Sequence, residues 1–285
     1  LLRIPAFLLL AGVLAVAGRI VRYSVESARG GIHPTQHPSQ YTCATSGIPG
    51  CEDISFASAD GIPLRGWFAP PDRGTNTVIL LAHGHAGNRD MLLPEARLLA
   101  GAGYGVLLFD FRGSGASGAA TVTIGLDEQR DLQAAIDFAA ARAPGARLGA
   151  IGFSMGAAVV AQVAARDERL EAVVLEASFP ALKDELLHRA RIFGPLSQIS
   201  VLLTFRAEGV DMAANRPIDS LCAIAPRPVL LVYGTLDETI PPGTPEKMYA
   251  AACKPKRLLV IPDAGHHNYL NSSREYHQLL LEFFR

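Results

Sequence analysis

The chain lacks an excess of charge of either sign: 26 Lys and Arg stand against 27 Asp and Glu, a formal net charge of −1. It also lacks any run of basic residues. A polyanion groove needs such a footprint, so no nucleic-acid partner is expected and small neutral partners fit better. Repeats at solenoid periods and low-complexity tracts are missing too, which excludes a repeat array. Cysteine is scarce, at four residues, and so is histidine, at eight. Each cysteine and histidine therefore carries information.

What the chain has instead is apolar material. With 49% hydrophobic and 19% charged residues over 285 positions, it can bury a sizeable core, as one large domain or two small ones. The excess lies at the N-terminus, where residues 4 to 18 carry no charge and are mostly Leu, Val, Ala, Ile and Phe. Residues 1–23 read as a hydrophobic helix. It is short for a membrane span, and it also resembles a signal peptide, with Arg3 ahead of the apolar stretch and Ala15-Val16-Ala17 as a cleavage-like motif. A helix packed on protein is the third reading. Membrane contact through residues 1–23 is the expectation.

The side of the membrane is argued both ways. Arg19, Arg22 and Arg29 outnumber Arg3, which by the positive-inside rule puts the following domain in the cytoplasm. The cysteines argue for an oxidising, extracytoplasmic compartment, which is slightly favoured. Cys43 and Cys51 flank a short loop, and one of three complete pairings joins them and joins Cys222 to Cys253. Four free thiols are the competing reading.

Residues 24–52 are rich in Pro, Gly, Ser and Thr and read as a linker or wrapping segment. From Asp53 onward the pattern changes. "DISFAS" and "IPLRGWFA", separated by a turn, predict a hairpin, and "TVILLAHG", "GYGVLLFD", "ARLGAIGFS", "RLEAVVLEA", "PVLLVYG" and "KRLLVIP" are the short apolar runs of strands buried on both faces. Helix-like segments at about 88–101, 124–142, 155–166, 244–252 and 271–284 alternate with them. The fold class is α/β, a mostly parallel central sheet with helices on both faces and the active groups at the carboxyl ends of the strands. Residues 53–285 form this domain. The interval at about 180–227 is too long for one crossover and reads as a small helical lid.

Chemistry concentrates in three places. Gly152-Phe153-Ser154-Met155-Gly156 joins an apolar strand to an Ala-rich helix, the setting that forces a serine into a strained turn with its Oγ projecting. Ser154 is the candidate nucleophile. A serine hydroxyl needs a base that is itself oriented by a carboxylate, and downstream strands end near Asp237 and near His266. Glu238 is the rival acid, and His267 the rival base. His266 is favoured because it directly follows Gly265 after the last strand; His267 is expected to point toward solvent, the lid or the terminal helix. The backbone N–H groups of Met155 and of His85, in "HGHAGN" after the third strand, are the expected oxyanion donors.

"HGHAGN", "FDFRGSGASG", "GFSMG", "GTLDETIP" and "DAGHHN" follow one another at family-like spacing. From Asp53 onward the chain thus resembles the α/β-hydrolase superfamily, in its serine esterase and peptidase-like lineage. Its departure is His85, where the lineage commonly has Asn. The N-terminal helix resembles that of membrane-anchored members, some of which are depalmitoylases or lipid esterases. The resemblance implies the triad Ser154, Asp237 and His266, and no cofactor.

Other polar residues receive structural readings. Asp110 and Arg112 are expected to form an ion pair with each other, Asp127, Glu128 and Asp131 to sit solvated or capping on a helix, and Trp67 to be core. A metal centre built on His83, His85, His266 and His267 is disfavoured, since no carboxylate at ligand spacing accompanies them. The expected function is a serine carboxylic ester hydrolase for short or medium acyl chains, monoacylglycerols or lysolipids, with a small-molecule ester as partner and a homo-oligomer left open. The alternatives are a thioesterase or depalmitoylase, an aminopeptidase-like hydrolase and, from another class, an inactive membrane-tethered binding protein.

Overall fold

The computed structural model describes residues 6–72 and 74–285, with the side chains of the first helix from Leu10 onward. The expected basic residue Arg3 lies outside the described residues. Along the chain come α1 (Ala6–Ile32), β1 (Glu52–Ala57), β2 (Pro63–Ala69), β3 (Thr77–Ala82), α2 (Leu93–Gly101), β4 (Gly105–Phe109), α3 (Glu128–Arg142), β5 (Arg147–Phe153) and α4 (Met155–Ala164). They are followed by β6 (Leu170–Glu176), α5 (Leu182–Arg189), α6 (Gly194–Ala207), β7 (Val229–Gly234), α7 (Thr244–Ala251), β8 (Lys256–Ile261), α8 (Tyr269–Ser272) and α9 (Arg274–Phe283).

The strands form one sheet in the order β1-β2-β4-β3-β5-β6-β7-β8. The β1–β2 and β2–β4 pairs are antiparallel and the other five pairs parallel, so the expected hairpin caps one edge of a parallel sheet. Every residue of β3 and β4 is buried, which is why both lack alternation. β5 shows how both faces are covered. A Cβ on Gly149 would meet the ring of Phe284, just past α9, whereas one on Gly152 would meet the backbone of Gly156 and Ala157 in α4. Residues three apart on a strand face opposite sides, so α4 and the C-terminal helix lie on opposite faces. This is the α/β-hydrolase fold.

The strand order reverses between β3 and β5: β4 lies on one side of β3, whereas β5, β6, β7 and β8 run outward on the other. Loops leaving β3 and β5 therefore diverge and open a crevice at the carboxyl ends of the strands. Ser154 and His85 both stand there.

Helix α1 does not stop at residue 23 but continues to Ile32, through the start of the expected linker. Its two halves differ. Leu10, Val13, Leu14 and Val16 are 57–64% exposed, whereas Ser24, Ala28 and Ile32, spaced by four, are 5% exposed or less. That spacing puts the latter three on one face, which packs against α6. Among the described residues no helix is long and apolar enough to cross a membrane. The uncharged stretch ends at Arg19, and Arg22, Glu26 and Arg29 follow within the same helix.

Residues 33–51 wrap the domain. Gln36 donates to the carbonyls of Ser117 and Ser114, and Ser39 and the Gln40 N–H donate to Asp90. Disulfides join Cys43 to Cys51 and Cys222 to Cys253. The interval before β7 holds α5 and α6, the helices of the expected lid.

Candidate active site

The end of β5 is shaped by what cannot fit beside it. A Cβ on Gly156 would fall against the carbonyls of Ala82 and His83, so only glycine lets α4 start this close to β3. Ser154 is held in the turn at φ 51° and ψ −112°, a conformation L-residues rarely adopt. Its N–H donates to Glu176 O at 2.8 Å, which fixes the turn to β6. The hydroxyl is left at the sheet edge.

His266 and Asp237 arrive from the loops after β8 and β7. His266 Nε2 lies 3.2 Å from Ser154 Oγ, and its Nδ1 lies 2.8 Å from Asp237 Oδ2. Asp237 is well supplied with donors: its Oδ1 accepts the N–H groups of Thr239 and Ile240, and the Tyr269 hydroxyl approaches Oδ2 at 3.5 Å. Burial by itself would raise its pKa, but the hydrogen bond and charge of His266 and the two amides outweigh burial and leave it below the usual carboxylate range. Asp237 is thus an anion at neutral pH. A carboxylate on Nδ1 requires Nδ1–H, which leaves Nε2 free to take the serine proton.

The rivals are placed elsewhere. His267 Nε2 donates to Met91 O at 3.1 Å, in the segment after β3 and not toward the lid or α9. The ring of Phe153 packs against both histidines, at 5.1 Å from His266 and 4.9 Å from His267. The Glu238 carbonyl accepts from His188 of the lid.

Met155 opens α4, so its N–H has no partner within the helix, and among the described residues the His85 N–H has none either. The His85 side chain leads away from this point: its Nε2–H donates to the carbonyl of Gly31 in α1 at 2.7 Å. Burial lowers its pKa, which keeps the ring neutral. His83 is fully buried and its pKa is lowered for the same reason; it donates to Gly84 O and accepts the Phe111 N–H.

Two expectations about the loop after β4 are corrected. Asp110 and Arg112 do not pair with each other. Asp110 takes Arg89 through Nη2 at 2.7 Å and also accepts the Arg89 and Ala116 amides, whereas Arg112 pairs with Asp131 and Asp60. Asp110 follows the end of β4 and Arg112 lies in the next turn, and each side chain finds its partner on a different segment. Asp131 and Glu128 are accordingly buried, not solvated; Glu128 accepts from the Thr123 and Gly125 amides and the Thr123 hydroxyl. Trp67 is core, with Nε1 donating to Asp53 and Arg89 over its ring.

Sequence reasoning missed Glu185. This α5 side chain is buried, its Oε2 has no partner among the described residues, and burial pushes its carboxyl up to about 8, Arg189 opposing and Asp237 reinforcing the shift. Nothing in the local pattern of the lid marks it, because its burial depends on what α5 packs over.

The profile of the family described as Serine aminopeptidase, S33 matches residues 74–204. YfhR of Escherichia coli K12, an uncharacterized protein, is 32% identical over 226 residues, 75% of this chain and 73% of that protein. The chain belongs to the α/β-hydrolase superfamily. Within this family's reach lies the α/β-hydrolase domain-containing protein WAV2 of Arabidopsis thaliana, 30% identical over 248 residues, 81% of this chain and 78% of that one. Among solved structures, the Pyrococcus furiosus esterase Pf2001 superposes with a TM-score of 0.74 at 23% identity, covering 88% of this chain and 96% of its own. An esterase domain from Rhodothermus marinus superposes at 0.61 with 22% identity, over 82% of this chain and 100% of its own. These α/β-hydrolase likenesses establish the fold.

Proposed function

We propose that the chain is a serine hydrolase that cleaves carboxylic esters of short or medium acyl length, monoacylglycerol-like or lysolipid-like, through an acyl-enzyme. The observation that carries this reading is the continuous path from Ser154 Oγ through His266 to Asp237, at 3.2 and 2.8 Å. Ser154 Oγ attacks the carbonyl carbon while His266 Nε2 takes its proton. The N–H groups of His85 and Met155 meet the oxyanion, each worth on the order of 3 kcal/mol in such chemistry. The tetrahedral intermediate then collapses, the alcohol leaves with the proton from His266, and water repeats the sequence to release the acid. Asp237, already an anion, steadies the imidazolium throughout.

Substrate class and setting rest on the N-terminus and lid. The exposed apolar residues of the first half of α1 suit contact with a lipid surface, and two disulfides suit an oxidising, extracytoplasmic compartment. The family description favours amide hydrolysis as a second reading.

Labelling with a fluorophosphonate tests the nucleophile: Ser154→Ala should abolish it, and undiminished labelling would sink the assignment. A panel of p-nitrophenyl esters, acyl thioesters and aminoacyl p-nitroanilides tests the class, with fastest turnover expected on the esters.

A further inference from the structure

The second half of α1 is part of a cavity wall. It is tied to the lid by Ser24 Oγ and Ser197 Oγ at 2.8 Å, by the Tyr23 ring set edge-on to Phe193, and by Arg29 and His33 on Glu208. Between these elements lies a cavity of about 190 Å³, lined mainly by apolar groups that include Ala28, Leu186, Val201, Phe205 and Ile124, with Arg189 and three serines as its polar part. His85 shares this wall, and its backbone N–H is the expected oxyanion donor. Its imidazole bonds to Gly31, so the helix, the cavity and the oxyanion loop are one connected unit. Ile192 and Phe193, which also line the cavity, are 77% and 45% exposed.

We infer that this cleft between α1 and α6 is the acyl-chain subsite, so the N-terminal helix binds substrate and does more than tether the domain. The inference rests on the ester-hydrolase reading above and deepens it. An apolar hollow beside an oxyanion loop takes the acyl side of an ester, because the carbonyl carbon must sit between Ser154 and the amides while its chain leaves past His85. The volume is somewhat above the about 150 Å³ apolar cavity that takes up benzene, which sets a capacity on the order of six to eight carbons. The exposed Ile192 and Phe193 give the chain an apolar path from a lipid surface into the cleft.

The test uses ethyl, hexyl, octyl and dodecyl fluorophosphonates, which phosphonylate Ser154 with loss of fluoride. On the full chain the inactivation rate should rise about threefold or more per methylene up to hexyl, then level off or fall by dodecyl. Ala28→Phe and Val201→Trp, which fill the cleft from its two walls, should each cut the octyl-to-ethyl rate ratio tenfold or more. Val201→Ala, which widens it, should move the optimum to longer chains. Circular dichroism melts select variants that keep the wild-type fold. An unchanged ratio in both filled variants, or no chain-length preference in the wild type, overturns the subsite. If no probe reacts with Ser154, the hydrolase reading fails instead. Calorimetry with decanoate then decides the cleft: saturable binding lost in both filled variants supports it, and absent or undiminished binding overturns it.

Discussion

His266 and His267 are chemically identical neighbours, yet only one faces Ser154. The Phe153 ring packs against both, and the Met91 carbonyl captures His267 on the other side. His266→Ala should lower kcat for a p-nitrophenyl ester by at least 10³-fold, whereas His267→Ala should cost about 10-fold or less; the reverse order would move the triad by one residue. Asp237→Asn keeps the shape but presents the wrong hydrogen-bonding partner to Nδ1, and should cost about 10⁴-fold in kcat with a smaller change in KM. His85→Ala removes only the imidazole and its bond to Gly31. Its loss should fall well short of the about 10²–10³-fold that removal of an oxyanion donor produces, because the donor is backbone. That Ser154, His266 and Asp237 meet was legible from sequence because each sits just past a recognisable strand. The partners of Asp110, Arg112 and Asp131 were not, since their contacts come from segments about 20 to 50 residues away.

Among the elements, α1 and the lid are where local pattern and observed structure part. The apolar run predicted a helix, and the helix is there. Its end at Ile32 could not be read from a stretch that includes Gly30 and Gly31, residues that ordinarily weaken helices, because burial of Ser24, Ala28 and Ile32 against α6 overrides that tendency. The lid carries a pH effect. Glu185 is neutral in the folded chain up to about 8, so it adds stability in full below the ordinary carboxylate value of 4.5, and that contribution is lost as pH rises through about 8. Tm should fall between pH about 5 and about 9, and Glu185→Gln, which cannot ionise, should flatten part of that slope. Glu95, pushed up to about 7 by burial in α2, acts in the same direction. A slope unchanged in Glu185→Gln would mean that α5 does not keep this carboxyl from water.

For the molecule as a whole, the Cys222–Cys253 bond closes a loop of sequence separation 31 that contains β7 and α7. In the chain-entropy view such a closure is worth about 3 to 4 kcal/mol, so urea melts of the double variant Cys222→Ser, Cys253→Ser should show a loss of that order. β7 and the following loop with Asp237 lie within the closed segment, and activity should therefore decline in that variant. From its sequence alone this protein was determined to be a mostly parallel α/β sheet with a serine turn, an acid and a histidine at strand ends. Period, burial and glycine placement are local properties that a strand-to-helix turn imposes on its own residues. Tertiary structure alone decided which cysteines pair, which anions take the buried arginines, and that α1 is bonded to the loop after β3 through His85 and Gly31. Those facts depend on distances between segments far apart in the chain, which no local pattern encodes.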